Sequence, residues 1–212
     1  MNNKIVFIIA ISLISIKSIA QEKYSDLRDK FLFGIKAGAN YSNVYDTEGD
    51  SFQSESRFGF VGGVFVAIPL GKIIGIQPEV LYSQKGFKAT GSILGFPFSV
   101  TRVTQYIDVP LLFSVKPLSM LTLVAGPQFS YLLKQTDTFS DGRTSSQQVQ
   151  EFKDANIRKN IMGFLTGFDI NPGHAVFSAR AGWDYLNNNG DGTTTTPRYK
   201  NMWLQATVGY RF

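Results

Sequence analysis

Apolar residues recur at every second position in eight stretches of the chain. The last stretch is the plainest case: Met202, Leu204, Ala206, Val208, Tyr210 and Phe212 alternate with residues that are mostly polar or small. A period of two predicts a β-strand with one apolar face and one polar face. The predicted strands cover residues 31–42, 57–68, 73–85, 102–116, 121–133, 160–170, 174–186 and 202–212.

The connections between these strands alternate between short and long. Three are tight turns that contain proline, at 69–72, 117–120 and 171–173, and four are longer polar loops, at 43–56, 86–101, 134–159 and 187–198. Barrels of outer membranes have short periplasmic turns and longer exterior loops. The pattern predicts an all-β protein: an eight-stranded antiparallel up-and-down transmembrane β-barrel with short periplasmic turns and long extracellular loops. We expect the last strand, with Tyr210 and Phe212, to close the barrel.

Alternation alone does not decide which face meets lipid, because a soluble barrel shows it with the apolar face inward. The aromatic residues of the apolar set favour a membrane barrel, since they gather at two heights around an aliphatic waist. At the predicted exterior end these are Tyr41, Phe58, Tyr82, Phe129, Tyr131, Phe164, Trp183 and Tyr185. At the periplasmic end they are Phe31, Phe33, Phe113, Phe168, Phe177, Tyr210 and Phe212.

The polar set combines glycines with charged residues of both signs, which fits a closed interior. Eight strands enclose a space just wide enough for side chains, so small residues there make room for long ones. A buried charge without a partner is costly, so we expect an ion-pair and hydrogen-bond network in the lumen. Its predicted members are Lys36, Glu79, Arg102, Asp108, Asp169, Arg180, Asp184 and Arg211. The alternative is an open pathway lined by some of the same residues.

Three prolines fit the strand assignment badly. Pro78, Pro110 and Pro127 fall inside predicted strands, where a closed barrel has no free edge for a residue without an N–H group. We expect bulges or local gaps in the pairing at some of them.

The first 20 residues predict a secretory signal peptide. Lys4 precedes a short apolar run, and Ser18-Ile19-Ala20 predicts cleavage after Ala20. We expect a periplasmic leader at 21–30 and the barrel domain at 31–212. The sequence pI of about 9.3 counts in part the lysines of the removed segment, and the other charges are scattered, so no nucleic-acid partner is expected. The absence of cysteine excludes disulfides and thiolate metal sites.

Several stretches resemble small outer-membrane β-barrel proteins of Gram-negative bacteria that carry a "porin family" label. The matching segments are Gly34–Asn43, Ile76–Gly86, Tyr106–Leu112, Gly126–Leu133 and Val208–Phe212. The resemblance implies an eight-stranded barrel in the cell outer membrane, and it implies no reaction, cofactor or defined ligand.

The sequence favours a non-enzymatic scaffold whose loops contact partners. Expected partners are outer-membrane lipid, the barrel-assembly machinery through the C-terminal strand, and an extracellular ligand at the loops, where Ile93–Phe98 forms an apolar patch. The alternatives are a narrow channel for ions or small solutes, and an outer-membrane lipid hydrolase. Hydrolysis has little support, because the only histidine, His174, lies at a periplasmic turn. Asp46, Glu48 and Asp50 lack the ligand pattern of a calcium loop, so no metal or cofactor is expected.

Overall fold

The computed structural model describes residues 26–46, 54–93, 96–140, 145–150, 159–186 and 199–212. The predicted signal peptide lies outside these residues, as does the tip of each of the four long loops. The strands are β1 (Leu32–Asp46), β2 (Ser54–Pro69), β3 (Ile74–Ile93), β4 (Phe96–Leu118), β5 (Leu121–Ser140), β6 (Ser145–Gln150), β7 (Asn160–Ile170), β8 (Ala175–Asp184) and β9 (Tyr199–Arg211). In the described part of the chain, no helix has the length and apolarity needed to cross a membrane.

The strands form one closed antiparallel sheet. Neighbouring strands pair in the order β1, β2, β3, β4, β5, β7, β8, β9, and β9 pairs with β1. The predicted eight-stranded up-and-down barrel is therefore confirmed. The short strand β6 is an addition to it, because β6 pairs with the upper part of β5 while β7 pairs with the lower part.

The exterior hairpins are longer than the sequence predicts. The stretch 86–101 was expected to be a loop, but β3 and β4 stay paired as far as Ile93 and Phe96. The stretch 134–159 was also expected to be a loop, yet it contains the end of β5 and all of β6. The predicted boundary of β5 is too short because polar residues at 134–138 occupy both of its faces, which removes the alternation. On β3 the apolar residues change face after Gly86, since Phe87 and Ala89 lie inward. Side chains of the predicted apolar patch, Ile93–Phe98, are not described.

The in-strand prolines coincide with interruptions of the pairing, as expected. The β2–β3 pairing is interrupted beside Pro78, the β3–β4 pairing beside Pro110, and the β4–β5 pairing beside Pro127. The missing N–H group of proline gives the reason. The register itself shifts elsewhere, between Ser56 and Val61 of β2 and between Gln105 and Tyr106 of β4.

The apolar face of the sheet points outward and the polar face points inward. Phe33, Val64, Leu111 and Leu204 are each about half exposed on the outer surface. Lys36, Glu79, Asp108 and Arg180 are buried inside, although their side chains are charged. A soluble barrel has the opposite arrangement, and a monomer in water rarely exposes so continuous an apolar surface. The outer face is therefore built to contact lipid.

Aromatic rings form contacts at both ends of this outer surface. Near the exterior end, the Tyr41 and Phe58 rings lie 4.8 Å apart and the Phe164 and Trp183 rings 5.3 Å apart. Near the end that carries the C-terminus, Phe212 stacks on Phe33 at 4.8 Å. These contacts agree with the two aromatic girdles expected from the sequence.

The lumen as candidate functional site

The lower part of the lumen holds a cluster of four charged side chains, which we call the lower ionic layer. Lys36 of β1 pairs with Glu79 of β3. Arg180 of β8 lies 2.7 Å from an Asp169 carboxylate oxygen and 3.5 Å from Glu79. Gln77 donates hydrogen bonds to both Glu79 and Asp169, at 2.9 and 3.3 Å. The two positive and two negative charges balance, which is the condition under which buried ions are tolerated.

Above this layer lies an apolar layer. It consists of Leu112, Val124, Leu165 and Trp203, all buried and in mutual contact. Gly182 makes room for the indole: a Cβ atom there would lie 2.3 Å from the Trp203 ring and 2.9 Å from Leu165. This is the role that the sequence predicts for glycines of the inward set.

A second ionic group, the upper ionic layer, lies on the far side of Trp203. The Lys85 Nζ atom is 3.0 Å from Asp108 and 3.7 Å from the centroid of the Trp203 ring. Asp184 accepts a hydrogen bond of 2.6 Å from Asn201. The ammonium therefore has an anion on one side and an aromatic face on the other, and both stabilise its charge.

The order of the three layers can be followed along β8. Its inward residues are Arg180 in the lower layer, Gly182 against the indole, and Asp184 in the upper layer. On β3 the same order runs from Gln77 and Glu79 to Lys85. Charged side chains thus lie above and below a section packed with apolar side chains, and side chains occupy the lumen at every level named here.

Six of the eight predicted network residues lie in the two ionic layers. These are Lys36, Glu79, Asp108, Asp169, Arg180 and Asp184. The other two lie apart from them. Arg102 lies higher, where its Nε and Nη2 atoms contact Asp137 at 2.7 Å each. Arg211 lies at the lower mouth, where it donates to the Gly173 carbonyl oxygen.

Sequence reasoning missed Lys85 and Trp203. Both share the parity of the polar set: Lys85 is six residues after Glu79, and Trp203 lies between outward Met202 and Leu204. Lys85 was overlooked because the predicted strand ended at that residue. Trp203 was overlooked because an indole was not expected among polar residues, although a filled lumen needs bulky side chains.

The contacts of His174 are described, whereas most of the acidic loop lies outside the described residues. The ring of His174 contacts the Arg211 carbonyl oxygen through Nδ1 at 2.7 Å and stacks on Tyr210. Of the acidic loop residues, Glu48 and Asp50 lie outside the described residues and the side chain of Asp46 is not described. Within the described residues, no group of three or more potential metal ligands comes together.

Comparison with known proteins gives a family match and several structural relatives. The family model "Outer membrane protein beta-barrel domain" matches residues 19–185. No curated protein matches the chain. Among solved structures, Ail of Yersinia pestis in complex with the heparin analogue sucrose octasulfate is 15% identical, with a TM-score of 0.51 over 86% of this chain and 99% of that chain. Neisserial surface protein A is also 15% identical, with a TM-score of 0.46 over 85% and 97% of the two chains.

Proposed function

The chain belongs to the outer membrane protein beta-barrel domain family, and from this premise we propose that it is a closed, non-enzymatic barrel of the outer membrane whose extracellular extensions contact partners. The observation that carries the proposal is the filled lumen. Leu112, Leu165 and Trp203 are at most 3% exposed between the two ionic layers. A hydrated ion would have to lose water to pass such a section.

The buried charges themselves favour closure over conduction. A conducting pore presents its charged side chains to water, whereas the side chains of Lys36, Glu79 and Arg180 are at most 1% exposed. Because each of these charges has a partner of opposite sign, they stabilise one another rather than attract a mobile ion. The narrow channel for ions or small solutes remains the competing function.

Planar-bilayer conductance tests the proposal. Protein without residues 1–20 is refolded, and heat-modifiable gel migration reports whether the barrel has formed. We expect no conductance steps from the native sequence. Discrete steps that depend on salt concentration would contradict the proposal and support the channel.

A matched pair of variants shows which side chains block conductance if the native protein gives no conductance steps. Trp203→Ala combined with Leu165→Ala removes the largest side chains of the apolar layer, and we expect this variant to conduct. Trp183→Ala removes an indole from the outer surface, and we expect this variant not to conduct. Conductance in the first variant alone would identify the apolar layer as the barrier.

The extracellular contact surface is part of the proposal. The chain continues as paired strands above the aromatic girdle, which places β6 and the ends of β3, β4 and β5 outside the membrane. Two described cations there have acidic partners: Arg102 pairs with Asp137, and Lys88 lies 3.5 Å from Glu55. These pairs give the described part of the surface both signs of charge, so we propose a neutral or mixed-charge partner rather than an anionic ligand such as the sucrose octasulfate of the Ail complex.

The C-terminal strand is the proposed contact for barrel assembly. Tyr210 and Phe212 have exposed rings on the outer surface. The Phe212 N–H donates to the Phe33 carbonyl oxygen at 2.7 Å, so the strand pairs with β1 to its end. Before closure, the same edge and rings are available to the assembly machinery.

A further inference from the structure

The segment before β1 makes polar contacts on the far side of the barrel mouth. We define the strap as residues 26–30, which lead into β1 at Leu32. The Nη1 atom of Arg28 donates to the carbonyl oxygens of Lys116 and Pro117, at 3.4 and 3.5 Å. The Nζ atom of Lys116 donates in return to the Arg28 carbonyl oxygen at 2.9 Å.

The side chain of Lys116 places these contacts over the mouth. Lys116 and Pro117 lie at the end of β4, and β2 and β3 separate β4 from β1. Lys116 has the same inward parity as the buried Leu112 and Ser114 of β4, so its ammonium meets Arg28 at the mouth of the lumen.

An acidic residue fixes the strap at a further point. Asp26 accepts two hydrogen bonds from the Arg28 guanidinium, at 2.9 and 2.7 Å, and lies 3.4 Å from Lys72 in the turn between β2 and β3. The hydrogen bond from Arg28 lowers the pKa of Asp26 below its ordinary value, so this carboxylate is ionised at neutral pH. Lys116 is 6% exposed, and its Nζ atom contacts the Arg28 carbonyl oxygen of the segment.

We propose that residues 26–30 are a strap that covers part of the periplasmic mouth of the barrel by docking against the end of β4. The strap covers the mouth without sealing it against ions, so the barrier to conduction is the apolar layer of the proposed function, and either feature can fail without the other. Displacement of the strap exposes Lys116 to the periplasm. Arg28 is the residue that joins the two sides.

Distances between paired spin labels test the docking, and the absence of native cysteine makes the labelling specific. One label is placed at Asp29→Cys in the strap and one at Leu118→Cys, both at exposed positions. A docked strap gives one narrow distance distribution. Arg28→Ala combined with Lys116→Met removes all three hydrogen bonds between the strap and the end of β4. We expect this double variant to broaden the distribution, because loss of hydrogen bonds from charged donors shifts docking about tenfold or more.

Two controls separate docking from folding. Leu70→Cys with Leu118→Cys places both labels on barrel turns, and this pair must remain narrow in every variant. Lys30→Ala removes one positive charge from the strap without touching the Arg28 contacts and should leave the strap distribution narrow. A broad strap distribution in the native background, or no change with Arg28→Ala and Lys116→Met together, would overturn the proposal. Conductance of the same samples reports on the apolar layer alone.

Discussion

Lys85 and Lys88 lie three positions apart on β3 in opposite environments. The side chain of Lys85 is 1% exposed and lies between Asp108 and the Trp203 ring. The side chain of Lys88 is 45% exposed and lies near Glu55 on the outer surface. Burial changes how much an ion pair contributes to the free energy of unfolding, since a charge left without its partner inside the barrel has no water to solvate it.

Lys85→Met is therefore expected to destabilise the barrel strongly. The substitution leaves Asp108 buried without its cation, and loss of one partner of a buried pair costs about 3–5 kcal/mol. The free energy of unfolding, measured by urea titration of the refolded protein in lipid vesicles, gives the size of the loss.

The matched control is Lys88→Met on the same strand. An exposed pair contributes little, so this change should alter the free energy of unfolding by no more than about 1 kcal/mol. Adding Asp108→Leu to Lys85→Met should recover part of the loss, because the unpaired carboxylate is then gone. Equal effects of Lys85→Met and Lys88→Met would contradict the assignment of Lys85 to the lumen.

Single residues show how far the sequence predicts the lumen. Parity alone assigns Lys36, Glu79 and Arg180 to the interior, since each strand has a fixed alternation. Parity does not give the position of a side chain along the barrel axis. Arg102 shows this, because its partner Asp137 lies in the extension above the membrane rather than in the ionic layers. This position depends on strand register and strand tilt, which cannot be derived from the local sequence pattern.

At the scale of strands, the sequence predicts the part inside the membrane better than the part outside. Lipid on one face and a filled lumen on the other impose alternation, as in β7, whose predicted and observed bounds are the same. Beyond the aromatic girdle the apolar residues no longer lie outward: β5 carries Thr, Gln and Asp on its two faces, and on β3 Phe87 and Ala89 lie inward in contact with Val44. Strand pairing continues there because the backbone hydrogen bonds do not depend on that pattern.

Limited trypsin digestion tests the extended hairpin. Lys88 of β3 pairs with Thr101 of β4, and Arg102 of β4 pairs with Phe87 of β3. The peptide bonds after Lys88 and Arg102 therefore lie in a hydrogen-bonded ladder. Cleavage there requires local unfolding, and we expect the bonds after both residues to survive in the folded barrel. Mass spectrometry of heat-unfolded protein should show both cuts. Cuts at both sites in folded protein would mean that 86–101 is a loop, as the sequence alone predicts.

For the whole molecule, the decisive property is the orientation of the two faces of the sheet: the apolar face points outward and the polar face points inward. Mean hydropathy is −0.03, close to the value for a protein in water, because outward apolar and inward polar residues cancel. The same composition would suit a soluble barrel whose apolar face points inward. The separation appears only when each residue is assigned to a face, and the paired ions and the Trp203 layer then occupy the space where a soluble barrel has its apolar core.

The two tryptophans report the two faces separately. Trp183 lies on the outer surface beside Phe164, and Trp203 lies in the lumen at 3% exposure. Lipids with brominated acyl chains quench indole fluorescence on contact, so they should quench the fluorescence of Trp183 and leave that of Trp203 unchanged.

Single-tryptophan variants separate the two signals. Trp203→Phe leaves only the outward indole, whose fluorescence should be strongly quenched, whereas Trp183→Phe leaves only the lumenal indole, whose fluorescence should be nearly insensitive. Water-soluble iodide should reach neither indole in vesicles, because lipid covers one and packed side chains cover the other. Strong quenching of Trp203 by the brominated lipid would contradict the assignment of the polar face to the interior.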